Sequence, residues 1–202
     1  MKTIIVPTNF SAEANTAIAY AASLAMVSGS TILLLSVYQL PVTMHDFPVL
    51  MVSVDELKSA ADAGLSRIKE EAQKQFTALQ FETESRLGYV SEEIEAIAKD
   101  WDIFCVVVGT QKLSGLENLL QSNDAVSLMK NSLYPVIAVP EGIAAKAPKN
   151  IVLAIDDTDS EKIPVQKISA FVTALNAQLH IVHVELIDEE PIATNNLLES
   201  FS

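Results

Sequence analysis

Ile103-Phe104-Cys105-Val106-Val107-Val108-Gly109-Thr110 opens the stretch that decides the fold, and Pro135-Val136-Ile137-Ala138-Val139 closes it. The first run is short, β-branched and uncharged, as a strand covered on both faces must be. It predicts a strand over 103–108 that breaks at Gly109-Thr110. A polar loop from Gln111 to Gln121 follows, then Ser122-Asn123-Asp124, a helical spacing at Ala125, Leu128 and Met129, and a last strand over 135–139. Such strands belong to a parallel sheet flanked by helices. The loop leaving one at its carboxyl end is where open α/β sheets bind ligands.

The same alternation extends upstream. Ile4-Ile5-Val6 reads as the first strand, ended by Pro7-Thr8-Asn9. Ser11 is a candidate N-cap with Glu13 in the first helical turn, and Gly29 is the candidate C-terminal stop. Ala14, Ala17, Ala21, Leu24 and Ala25 lie at helical spacing between them, small enough to sit close on a sheet. Ile32 to Val37 is a second strand. After an irregular insert over 38–53 that holds His45, an amphipathic helix starts at Val54, with Leu57, Ala61, Leu65, Ile68, Ala72, Phe76 and Leu79 on one face. Phe81 to Leu87 alternates as an edge strand, and Ser91 is expected to cap a short helix bearing Ile94, Ile97 and Ala98. The order β-α-β-α-β-α-β-α-β predicts a doubly wound, five-stranded parallel sheet, complete by Pro140.

Beyond an alanine-rich linker, 141–148, the chain begins again. Lys149 to Leu153 matches Lys2 to Val6 at an offset of 147 (149 − 2), and the same offset lays 179–184 on 32–37. An internal repeat outranks local signals. Residues 1–140 are therefore expected to form one domain and 149–202 a partial β-α-β second copy, the latter read as truncated.

These residues resemble the universal stress protein family. The resemblance rests on Ile4-Ile5-Val6-Pro7-Thr8-Asn9-Phe10-Ser11, on Val107-Val108-Gly109-Thr110 with Leu113-Ser114-Gly115-Leu116, and on Tyr134 to Pro140. It implies a Rossmann-like domain, a cytoplasmic role in stress response, and pairing through Val136, Ile137, Ala138 and Val139, either as a homodimer or between tandem domains. Many members hold ATP on a loop of spaced glycines, because glycine lets the backbone approach phosphate. The residues this would place at a nucleotide are Thr8, Asn9, Val37, Gly109, Thr110, Lys112, Ser122 and Asn123. Of the glycines only Gly109 is kept. Lys112 and Ser122 stand where the second and third belong, Asn123 replaces the final hydroxyl residue, and Asn9 replaces an acid that Asp156 restores in the second copy.

The net charge of −13 excludes nucleic acid as a partner, since phosphate contacts need clustered Lys and Arg, and it argues equally against an anionic membrane surface. The one cysteine, Cys105, leaves no disulfide framework and reads as a buried, inert thiol. His180 and His183, three apart in a strand, point to opposite faces and suit no shared metal. Lys112 reads as a solvated loop lysine and Ser122-Asn123-Asp124 as a helix cap. Asn9-Phe10 lacks the acidic pair of a receiver domain, and Thr8 to Ser11 lacks the glycine loop of a nucleotide-cleaving pyrophosphatase. The expectation is a non-enzymatic stress-response protein acting by dimerisation and partner binding, with no resident cofactor. The alternative is an ATP-binding, nucleotide-gated switch or slow ATPase using Gly109 to Asn123.

Overall fold

A computed structural model describes residues 2–40, 53–110, 128, 132–155 and 163–183. The chain divides into two compact units, Met1–Lys146 and Ala147–Ser202.

The first unit is a five-stranded parallel sheet. Its strands are β1 (Lys2–Pro7), β2 (Thr31–Tyr38), β3 (Phe81–Leu87), β4 (Asp102–Thr110) and β5 (Val136–Pro140), in the spatial order β3-β2-β1-β4-β5. The helices are α1 (Ala12–Ser28), α2 (Val54–Gln75) and α3 (Val90–Ile97). Both faces of the centre are covered. Ile5, Leu33, Leu35 and Val106 point to one side, where Ile94 and Ile97 of α3 and the helical residue Leu128 close over them. The other side takes α1 along β4 and β1, and α2 along β3 and β2. Burial on both faces explains why β1, β2 and β4 are continuous apolar runs, whereas edge strand β3 alternates Glu82, Glu84 and Arg86 with its inward residues.

The helix ends follow from their capping residues. Ser11 accepts from the Ala14 amide at α1, and Gly29 closes that helix in the left-handed region (φ 68°). Ser53 and Glu56 form a reciprocal capping box at α2.

Three local expectations fail. The helix expected to carry Phe76 and Leu79 ends at Gln75, with Phe76 at its cap position and Leu79 beyond it. Ser91 does not cap α3; the cap position is Tyr89, without a side-chain bond, and Ser91 lies inside the helix. Gly88, at φ 152°, turns the chain early enough for Val90 to begin the helix and pack on the core. Nor does β4 break at Gly109-Thr110. Both residues remain in the strand because β5 runs on to Pro140, pairing Gly109 with Val139 and Thr110 with Pro140. Of the helix expected near Ala125, only Leu128 is among the described residues.

The second unit holds β6 (Asn150–Ile155), α4 (Val165–Ala174) and β7 (Gln178–His183). Its two strands are parallel and pair Ile151 with Leu179 and Val152 with His180. The first unit pairs Ile4 with Ile32 and Ile5 with Leu33. The offset of 147 read in the sequence thus reproduces the pairing register residue for residue (151 − 4, 179 − 32).

Candidate functional site

In the order β3-β2-β1-β4-β5 the direction of winding reverses between β1 and β4. Their carboxyl ends, Pro7 and Thr110, flank the crevice where a doubly wound sheet takes ligands. Thr8 and Asn9 leave β1 there, Val37 stands near the end of the neighbouring β2, and Gly109 and Thr110 end β4. Lys112, Ser122 and Asn123 lie outside the described residues, as do His45 and Asp156.

The turn from β1 to α1 is held by its own side chains. The Thr8 amide donates to the Leu35 carbonyl (2.8 Å), which ties the turn to β2. Thr8 Oγ1 accepts from the Phe10 amide (3.0 Å), and Asn9 Oδ1 accepts from the Ser11 amide (3.1 Å). Ser11 Oγ accepts from the Ala14 amide (3.3 Å). The Ser11 hydroxyl and Glu13's own amide hold the Glu13 carboxyl below its ordinary value. A carboxylate of the chain therefore already complements the first turn of α1, the position an anionic ligand would seek.

Gly109 has a structural duty. A Cβ on it would stand 2.2 Å from the Glu13 carbonyl oxygen and 2.4 Å from its carbon. Its bare Cα is the seat of the first turn of α1. On the side where a Cβ would stand, the approach at Gly109 is one of backbone. Strand alternation puts Thr110 on the opposite face, with Val106 and Val108. It is buried, 6% exposed, and among the described residues its Oγ1 has no hydrogen-bond partner. Val37 packs against the core cluster on that same side. None of the described residues assigned to the site is cationic.

Elsewhere, burial pushes the Cys105 thiol up to about 12, so it is a neutral, fully enclosed group. His180 is exposed and its Nε2 lies 3.1 Å from Asn150 Oδ1, while His183 is half-buried on the other face of β7. Among the described residues no three His, Cys, Asp or Glu side chains converge on a metal position, and no helix is long and apolar enough to cross a membrane. Val136 to Val139 form the edge strand of the described sheet, with Val136, Ile137 and Ala138 half-buried and Val139 buried.

The sequence reading passed over two residues. Phe10 adopts φ 66°, and its ring lies against Gly64 in the middle of α2. The available signal was that glycine, since a helix interior tolerates one at a cost of about 1 kcal/mol and usually for a packing reason.

The model of the universal stress protein family matches residues 1–140. The chain belongs to the universal stress protein family. Two solved structures share its fold. One is a universal stress protein in complex with cAMP, 18% identical, covering 70% of this chain and 98% of its own, with a TM-score of 0.52. The other is a family protein from Burkholderia pseudomallei, 21% identical, covering 69% and 96%, with a TM-score of 0.51. No curated protein matches the chain in sequence. In this universal stress protein the Thr8 and Asn9 side-chain oxygens at the crevice accept from the turn's own amides.

Proposed function

We propose that this universal stress protein is a non-enzymatic, cytoplasmic stress-response protein. It acts by pairing with a second copy through Val136 to Val139 and by binding a protein partner, and it turns over no nucleotide. The observation that carries the reading is the use of the crevice by the chain itself. Thr8 and Asn9 spend their acceptors on the amides of Phe10 and Ser11, and the space at Gly109 is taken by α1. A phosphate would have to win the Phe10 and Ser11 amides from these oxygens, and it would gain no cation from the described residues. The pairing edge is supported by β5, which has a hydrogen-bonded neighbour on one side only in the described sheet.

Isothermal titration of the full chain with ATP and magnesium tests the nucleotide half of the proposal. No heat is expected at micromolar concentrations, and micromolar binding overturns it. Sedimentation of Ile137→Lys tests the other half, with a shift from dimer to monomer expected and an unchanged dimer counting against the edge.

One observation favours the second reading, a nucleotide-gated switch or slow ATPase. The Thr110 hydroxyl is buried beside the crevice without a partner among the described residues, and a buried polar group normally has one. The related protein in complex with cAMP makes an adenine nucleotide the first ligand to try.

A further inference from the structure

Among the described residues of the first unit, Phe10 is the non-glycine one with positive φ, 66°, a backbone state biased against a bulky side chain by roughly 5- to 30-fold. Its ring is inserted tip-first at Gly64: a Cβ there would lie 2.6 Å from Cζ, 2.7 Å from Cε1 and 3.1 Å from Cε2. The seat exists because α2 carries a glycine at that turn. Two contacts therefore offset the unfavourable φ, the ring in its seat and the Phe10 amide on Thr8 Oγ1.

We propose that Phe10 and Gly64 form a releasable latch on the crevice, with α2 as the element that senses or sets it. In the closed state the ring pins the turn to α2, and the Phe10 and Ser11 amides are held by Thr8 Oγ1 and Asn9 Oδ1. Withdrawal of the ring lets Phe10 leave the left-handed region. It frees together the Thr8 hydroxyl, the Asn9 carboxamide and the amides of Phe10 and Ser11, all beside the carboxyl end of β1. Strain at Phe10 keeps the two states close in free energy, which a device that must open requires. The latch does not depend on what the crevice binds.

Residue-resolved amide hydrogen exchange on the full chain tests it, with the β1–β2 ladder as internal reference. In Gly64→Ala the new methyl evicts the ring, and in Phe10→Ala the ring is absent while the φ bias remains. Both are expected to speed exchange of the Phe10 and Ser11 amides at least about tenfold, with the ladder unchanged. Phe10→Gly, which removes the ring and the bias together, should open the turn less than Phe10→Ala. The proposal fails if either alanine variant keeps wild-type rates at those amides. It fails equally if they speed up only in step with the ladder, or if Phe10→Gly and Phe10→Ala behave alike.

Discussion

A methyl group at residue 109 would force β4 and α1 apart. The built Cβ of Gly109→Ala meets the Glu13 carbonyl oxygen at 2.2 Å, where ordinary contact begins at 3.4 Å. The start of the helix must retreat by about 1.2 Å (3.4 − 2.2), and the atoms in the way are backbone, so no side chain can swing aside. Overpacking of this kind costs about 1–3 kcal/mol, and a backbone-on-backbone clash belongs at the upper end. The phosphate-loop explanation of the same glycine predicts the opposite sign. Gly109 is not among the positive-φ glycines, so alanine at an unobstructed site there would stabilise by about 0.4–1 kcal/mol through the unfolded state. Urea unfolding of the ligand-free chain decides between them. With a slope of about 2 kcal/mol per molar, a loss of about 3 kcal/mol lowers the midpoint by roughly 1.5 M. A midpoint that stays put or rises refutes the packing account of Gly109.

Thr110→Val replaces a buried hydroxyl with no partner among the described residues by a methyl and should raise stability by about 1 kcal/mol in thermal melts; a loss would show that the hydroxyl has a structural partner. Cys105 has its folded value raised from 9.0 to about 12, so the unfolded chain gives up its proton first. Stability is then flat below pH 9 and falls toward pH 12 by up to about 1.4 kcal/mol per unit, a decline that Cys105→Ala should remove. Asp62 is held below its ordinary value by Lys58 Nζ (2.7 Å) and the Ser85 hydroxyl (2.6 Å), joining α2 to β3. Its contribution is present above the unfolded value and lost as pH falls through the lower folded one. Asp62→Asn should therefore melt earlier than the parent at pH 7 and level with it in acid; a gap that persists in acid would remove the charge from the explanation.

The sheet was legible because its signals are local and redundant. Uncharged apolar runs at Ile4, Ile32 and Ile103 fix strands buried on both faces, while Ser11 and Gly29 bracket α1 with the residue types its ends demand. The repeat was legible for a similar reason, since a fixed offset preserves side-chain parity and hence register. The site was less so. Gly109 reads the same in sequence whether its missing Cβ serves a ligand or a neighbouring helix, and the distinction appears only when Glu13 is brought against it. Ser91 misled because a good capping residue two places into a helix looks no different from one at its boundary. Phe10 gave no signal at all, because an aromatic residue in a left-handed turn is set by the tertiary slot at Gly64 and not by its chain neighbours.

The matched registers of the two units carry one more consequence. Where Ile5, Leu33 and Leu35 are sealed beneath α3, the corresponding Val152, His180 and Val182 lie open, Val152 with 62% of its surface wet. Among the described residues of the second unit, Ile155, Val172 and Leu175 are the buried apolar ones. So thin a described interior gives β6 and β7 little to resist local opening. A protease offered the intact chain should therefore cut within these strands before it cuts the five-stranded sheet.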